Sequence, residues 1–179
     1  MKNLLKKYEA GKTNKQILAN RAIARAESCL NFLDECLQLV HRGSGTDPAY
    51  SRSIYILFSY SFELILKSRL LLASKQVERD DLIKEIKSHD LEKLSKKLSK
   101  TELNNISIKN IKKQKTLNFE EYKIEMTGGG DFIIQDLTDV RYDFAKDNLR
   151  NNNLDEWNQL QEMKEVMFYM IKFIREMIK

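Results

Sequence analysis

Residues 53–72 read SIYILFSYSFELILKSRLLL, and this stretch decides the fold. Its apolar residues, Ile54, Tyr55, Leu57, Phe58, Phe62, Leu64, Ile65, Leu66, Leu70, Leu71 and Leu72, cover most of a helix circumference rather than one stripe. A helix apolar all round belongs at the centre of a bundle or in a membrane. Glu63, Lys67 and Arg69 separate the two, because charged side chains near a bilayer centre are costly; a transmembrane span is rejected. Asp47 before Pro48 supplies the start of the helix, the carboxylate as cap and the proline in the first turn, and it is expected to run to about Ser74. At about 27 residues it would measure roughly 40 Å and set the long dimension of the molecule.

Upstream, Thr13 with Gln16 fits a capping box, which predicts a first helix from about Thr13 to His41. Ile17, Leu18, Ala22, Ala26, Cys29, Leu33, Cys36, Leu37 and Val40 follow the three-and-four spacing of its buried face. Gly43 to Thr46 end it, and the short connection to Pro48 predicts antiparallel neighbours. Cys29 and Cys36 lie seven residues apart, a rise of about 10.5 Å along one helix and beyond disulfide reach. They read as small core hydrophobes in a reducing compartment. Residues 1–12 are Lys-rich without the apolar run of a secretory signal, and a flexible tail on a cytoplasmic protein is expected.

Downstream, the pieces shorten. Asp80 to Ile86 predicts a turn or two, Ser88 offers a cap before Leu91, Leu94 and Leu98, and Thr101 can cap a further helix through Ile111. Residues 120–135 support a small β-hairpin or an ordered loop, since Tyr122, Ile124 and Met126 alternate and Gly128 to Gly130 precede Phe132. Asp136 caps a helix through Phe144. Asn153 with Glu156 opens the last one, whose stripe is Trp157, Leu160, Met163, Val166, Met167, Met170, Ile171, Ile174 and Ile178. The expectation is a single all-α domain, an up-and-down bundle of five to six helices.

Composition agrees. One Pro and six Gly in 179 residues leave too few turn-formers for a β-sandwich. Metal chemistry is unsupported, because the two His are distant in sequence and no Cys pair has zinc-knuckle spacing. The triple glycine lacks the Lys-Ser or Lys-Thr of a phosphate loop, and no nucleophile elbow occurs. No cofactor is implied. Charge says more: Lys87 to Lys115 contains nine Lys against Asp90, Glu92 and Glu102, a local balance of +6 in a chain whose net charge is +5. Lys93, Lys96, Lys97, Lys100, Lys112, Lys113 and Lys115 thus form a candidate nucleic-acid patch, or the solvated face of an amphipathic segment.

Three short motifs stand in order: Phe62-Glu63-Leu64-Ile65-Leu66-Lys67, then Ser88-His89-Asp90-Leu91-Glu92-Lys93-Leu94, then Val140-Arg141-Tyr142. Together they resemble the HEPN domain, an all-helical family named for nucleotide binding in higher eukaryotes and prokaryotes. The resemblance spans roughly Asn14 to Tyr142. It implies a helical bundle, frequently a homodimer, found in toxin–antitoxin pairs, antiviral defence and nucleotidyltransferase partnerships. Many members are metal-independent endoribonucleases marked by an Arg followed after four to six residues by His. This chain departs from that signature: no His follows Arg141 or Arg150 in the window, and no Arg stands at that distance ahead of His41 or His89.

Only His titrates near neutrality unaided, so catalysis by the family's usual route is not expected. The expectation is a non-catalytic HEPN-like module binding a nucleotide, RNA or a protein partner such as a nucleotidyltransferase or antitoxin. Glu63, Lys67, His89, Asp90, Arg141 and Tyr142 are the candidate ligand-binding residues: Arg141 and Tyr142 would meet His89 and Glu63 or Lys67 in one groove, with Arg141 on a phosphate. One alternative is an endoribonuclease with a rearranged site built from His89, Arg141 and Tyr142. Another is a dimerising adaptor with a spare apolar face where Met163, Met167 and Met170 cluster. The plainer reading of the same residues is structural: Ser88 caps, His89 and Asp90 decorate a first turn, Arg141 pairs with a nearby Asp, and Glu63 with Lys67 forms a four-apart ion pair that fixes packing.

Overall fold

A computed structural model of the chain describes residues 10–43, 48–98, 117–118, 123–125, 131–133 and 154–179. Their packed body is helical: α1 (Asn14–Gly43), α2 (Pro48–Ala73), α3 (Arg79–Glu85), α4 (Leu91–Ser95) and α5 (Leu154–Ile178). Three short strands, β1 (Leu117–Asn118), β2 (Lys123–Glu125) and β3 (Asp131–Ile133), pair antiparallel in chain order, with Leu117 opposite Ile124 and Ile124 opposite Phe132. The helices expected after Thr101 and Asp136, the cap at Asn153 and the triple-glycine turn lie outside the described residues. No described helix is long and apolar enough to cross a membrane.

Helix α1 begins as its residues dictate. Gly11 has φ 80°, the left-handed region that favours glycine, so residues expected in the flexible tail turn the chain into Thr13. The Gln16 amide donates to Thr13 Oγ1 at 3.3 Å and the Thr13 amide donates to Gln16 Oε1 at 3.0 Å. That is a reciprocal capping box.

The buried face of α1 is rotated from the expected one. Ala19, Ile23, Ala26, Leu30 and Leu33 are fully buried, alternating four and three residues apart, whereas Ile17, Leu18, Ala22, Cys29 and Cys36 are half-buried at its margins. Ala26 and Leu33 are shared with the expected face, and Ala19, Ile23 and Leu30 join them in place of its more exposed members. The cysteines are therefore core-edge residues.

Helix α2 is central. Every residue from Ser61 to Leu71 is buried, as are Ile54, Phe58 and Ser59. Its most extensive packing is with α1, to which it runs antiparallel: Ser61 Oγ lies 3.4 Å from the Ala26 carbonyl, and Lys15 Nζ donates to the Ser74 carbonyl at the far end. Helix α5 is also antiparallel to α1, because Lys164 pairs with Asp34, Arg175 with Glu27, and Gln16 Nε2 donates to the Ile178 carbonyl at 3.2 Å. Val166, Met167, Met170, Ile171, Ile174 and Ile178 fill the core. Met167 and Met170 are fully buried in a single chain, so they form no spare face for dimerisation.

This packing predicts a steep contrast between two phenylalanines. Phe62→Ala, in the centre of the core, should cost about 3–5 kcal/mol, whereas Phe32→Ala, at a residue 56% exposed on α1, should stay within about 0.5 kcal/mol; urea unfolding followed by circular dichroism measures both.

Candidate functional site

Two charged residues one turn apart interrupt the buried run of α2. Lys67 Nζ lies 2.7 Å from Glu63 Oε1, with side-chain exposures of 11% and 1%. The four-apart ion pair expected from the sequence is present. In the structure the carboxylate is fully inside, where an ion survives only with a close countercharge and hydrogen bonds.

The third member comes from another part of the chain. His89 Nδ1 is 3.0 Å from the same Glu63 Oε1, while the His89 side chain is 59% exposed. One edge of the ring therefore rests on a buried carboxylate and the remainder meets solvent. Among the described residues no donor reaches Glu63 Oε2, which is also buried. Lys67 and His89 both converge on Oε1.

The connection between α3 and α4 holds His89 in place. Asp90, not Ser88, is the N-cap of α4: its Oδ1 accepts the Lys93 amide at 2.9 Å, and its carbonyl accepts the Leu94 amide at 3.0 Å. Ser88 Oγ accepts the Asp90 amide at 3.1 Å, tightening the turn one step earlier. The correction has a simple cause, since both residues can cap and the carboxylate is the one within reach of the third amide of the helix. Leu91 and Leu94 are buried and fasten α4 to α2. His89 is thus pinned between a capped turn and a core-facing helix.

Of the expected site residues, the structure brings Glu63, Lys67 and His89 together and places Asp90 beside them, its carboxylate engaged as a cap and in a 2.9 Å ion pair with Lys93. Arg141 and Tyr142 lie outside the described residues. Lys93, Lys96 and Lys97 are exposed, with Lys97 Nζ donating to the Glu85 carbonyl; Lys100, Lys112, Lys113 and Lys115 lie outside the described residues. Sequence reasoning expected the ion pair and placed His89 near it, but missed Glu63 as an acceptor shared by two elements. Its only trace in the sequence is a carboxylate inside an apolar run.

Among the described residues no group of three His, Cys, Asp or Glu side chains could hold a metal ion. Cys29 and Cys36 are free thiols, both held above the ordinary thiol range chiefly by burial. A hydrogen bond with Ser61 partly offsets this at Cys29, and the Glu35 charge adds to it at Cys36. No protein-family model, curated protein or solved structure matches the chain.

Two measurements test this description. Glu63→Gln strands Lys67 without a countercharge and should cost about 3–5 kcal/mol in urea unfolding, with much of the loss recovered in Glu63→Gln/Lys67→Met. The raised thiols are less ionised at neutral pH, so iodoacetamide should modify the native chain more slowly than the unfolded one, with a rate that climbs to higher pH.

Proposed function

We propose that this chain is a non-catalytic HEPN-like module that binds RNA or a nucleotide through its phosphate groups. The observation that carries the reading is the convergence of His89 on buried Glu63 and Lys67, immediately ahead of exposed Lys93, Lys96 and Lys97. Long-range attraction comes from the Lys87 to Lys115 segment, whose positive balance favours phosphate by releasing counterions. Arg141 supplies a bidentate phosphate contact in this reading, with Tyr142 beside it. The missing Arg-to-His spacing argues against cleavage by the family's usual route. Homodimerisation and a protein partner in a toxin–antitoxin or defence setting belong to the same proposal, on the strength of the three motifs alone.

One observation favours a second reading, an endoribonuclease with a rearranged site. A carboxylate on Nδ1 is the arrangement that orients an imidazole for proton transfer, and Glu63 makes that contact with His89.

The two separate on one set of gels, with labelled structured and single-stranded RNA incubated at low and moderate salt. Binding without catalysis predicts salt-sensitive retardation, intact RNA, and weaker retention by Arg141→Ala. Cleavage abolished by both His89→Ala and Arg141→Ala would establish the nuclease instead. Neither retardation nor cleavage would leave the protein-partner role.

A further inference from the structure

We infer that the outer face of α1, from Arg25 to Glu35, is the surface on which two copies of this chain associate, antiparallel about a two-fold axis. None of its residues belongs to the three motifs that suggested homodimerisation above, and its use is independent of RNA binding.

Two sides of α1 are occupied within one chain. Ala19, Ile23, Ala26, Leu30 and Leu33 are buried in the core, and on the flank toward α5 Glu27 pairs with Arg175 and Asp34 with Lys164. Phe32 stands five residues on from Glu27, about 140° round the helix. It belongs to a different stripe: Arg25, Ser28, Phe32 and Glu35 recur three, four and three residues apart, and all four are exposed, Phe32 to 56%. That is the spacing of a helix–helix seam. Among the described residues neither Arg25 nor Glu35 has an ion pair, and about 15 Å of helix keeps them from each other. Ser28 Oγ donates to the Ala24 carbonyl at 2.9 Å, so a partner can cover the hydroxyl without leaving it unsatisfied.

The stripe is complementary to itself. When Arg25 of one copy stands opposite Glu35 of the other in an antiparallel pair, the same register sets Ser28 opposite Phe32, because both pairs share one midpoint, residue 30. Each end of the seam then holds an Arg–Glu pair. Between them each phenylalanine ring lies over a serine, small enough for the two backbones to approach closely. A parallel pairing would set arginine against arginine and glutamate against glutamate, so charge selects the antiparallel arrangement. A two-fold contact of this kind uses its own surface on both copies and closes at two. The seam is about 16 Å long, which suits a reversible dimer of micromolar or weaker affinity rather than an obligate one.

Sedimentation equilibrium of the full chain at about 10–500 µM tests this, the range in which so small an interface associates. The mass should rise from one copy to two. Phe32→Ala should weaken association about a hundred-fold, and Arg25→Glu and Glu35→Arg should each weaken it about ten-fold. Mixing the two charge variants in equal amounts should restore the dimer, because one copy then carries glutamate at both positions and the other arginine at both. The substituted residues are exposed, and circular dichroism of the dilute, monomeric chains checks that each variant keeps the fold. A chain monomeric at every concentration overturns both the inference and the homodimer proposed above. A dimer indifferent to these substitutions, or charge variants that stay apart when mixed, overturns the inference alone and moves the contact to another face.

Discussion

Burial of helix α2 around its whole circumference is the constraint on which the rest of the structure depends. From Ser61 to Leu71 no residue reaches solvent appreciably, so the polar groups on that stretch draw their partners from inside, and Glu63 Oε2 finds none among the described residues. Serines manage this within the helix: Ser61 Oγ donates to the Leu57 carbonyl at 2.7 Å and Ser68 Oγ to the Ile65 carbonyl at 3.1 Å. Glu63 has no such recourse, because a carboxylate has nothing to donate and the carbonyls of its own helix only accept. It takes Lys67 from the next turn and His89 from the approach to α4. The location of the candidate site is a consequence of the core.

Backbone carbonyls impose the same demand at the end of the bundle where α1 begins and α2 and α5 finish. Helix C-termini expose carbonyls that need donors. Lys15 donates to the Ser74 carbonyl, Asn14 Nδ2 to the Val77 carbonyl at 3.2 Å, and Gln16 Nε2 to the Ile178 carbonyl at 3.2 Å. Three consecutive residues of the first turn of α1 thus serve two chain segments, the connection after α2 and the end of α5. Ser74 Oγ donates to Glu85 Oε2 at 2.5 Å and accepts the Gln76 amide at 3.0 Å, which ties α3 to the end of α2. Since α4 follows α3 after five residues, this knot also fixes the direction from which His89 approaches Glu63.

What the sequence made legible divides by interaction range. The capping box at Thr13 and Gln16, the all-round burial of α2 and the stripe from Val166 to Ile178 are periodic or local, and they are found as expected. The buried face of α1 lies a fraction of a turn from the expected one: Ala26 and Leu33 are on it as expected, but Ala19, of weak hydropathy, is fully buried, while Cys29 and Cys36, of strong hydropathy, sit at the edge. Ser88 and Asp90 are both good caps, and spacing alone does not choose between them. A contact between residues 63 and 89 depends on how α4 docks, which no local pattern encodes.

The sharing of one oxygen by Lys67 and His89 bears on what the imidazole can do. A carboxylate acts on a neighbouring imidazole in two ways, by direction, through a hydrogen bond that fixes the tautomer, and by charge, through a field that favours the protonated ring. The ammonium 2.7 Å from Oε1 answers the carboxylate's charge, and the imidazole contacts the same oxygen at 3.0 Å. Of the two effects the geometry shows direction: the 3.0 Å contact of Nδ1 with a carboxylate fixed inside the core holds the plane of the ring, while Lys67 answers the charge of the same oxygen. Glu63 therefore serves His89 as a positioning residue, set by the packing of α2 and α4 rather than by the exposed face of the ring.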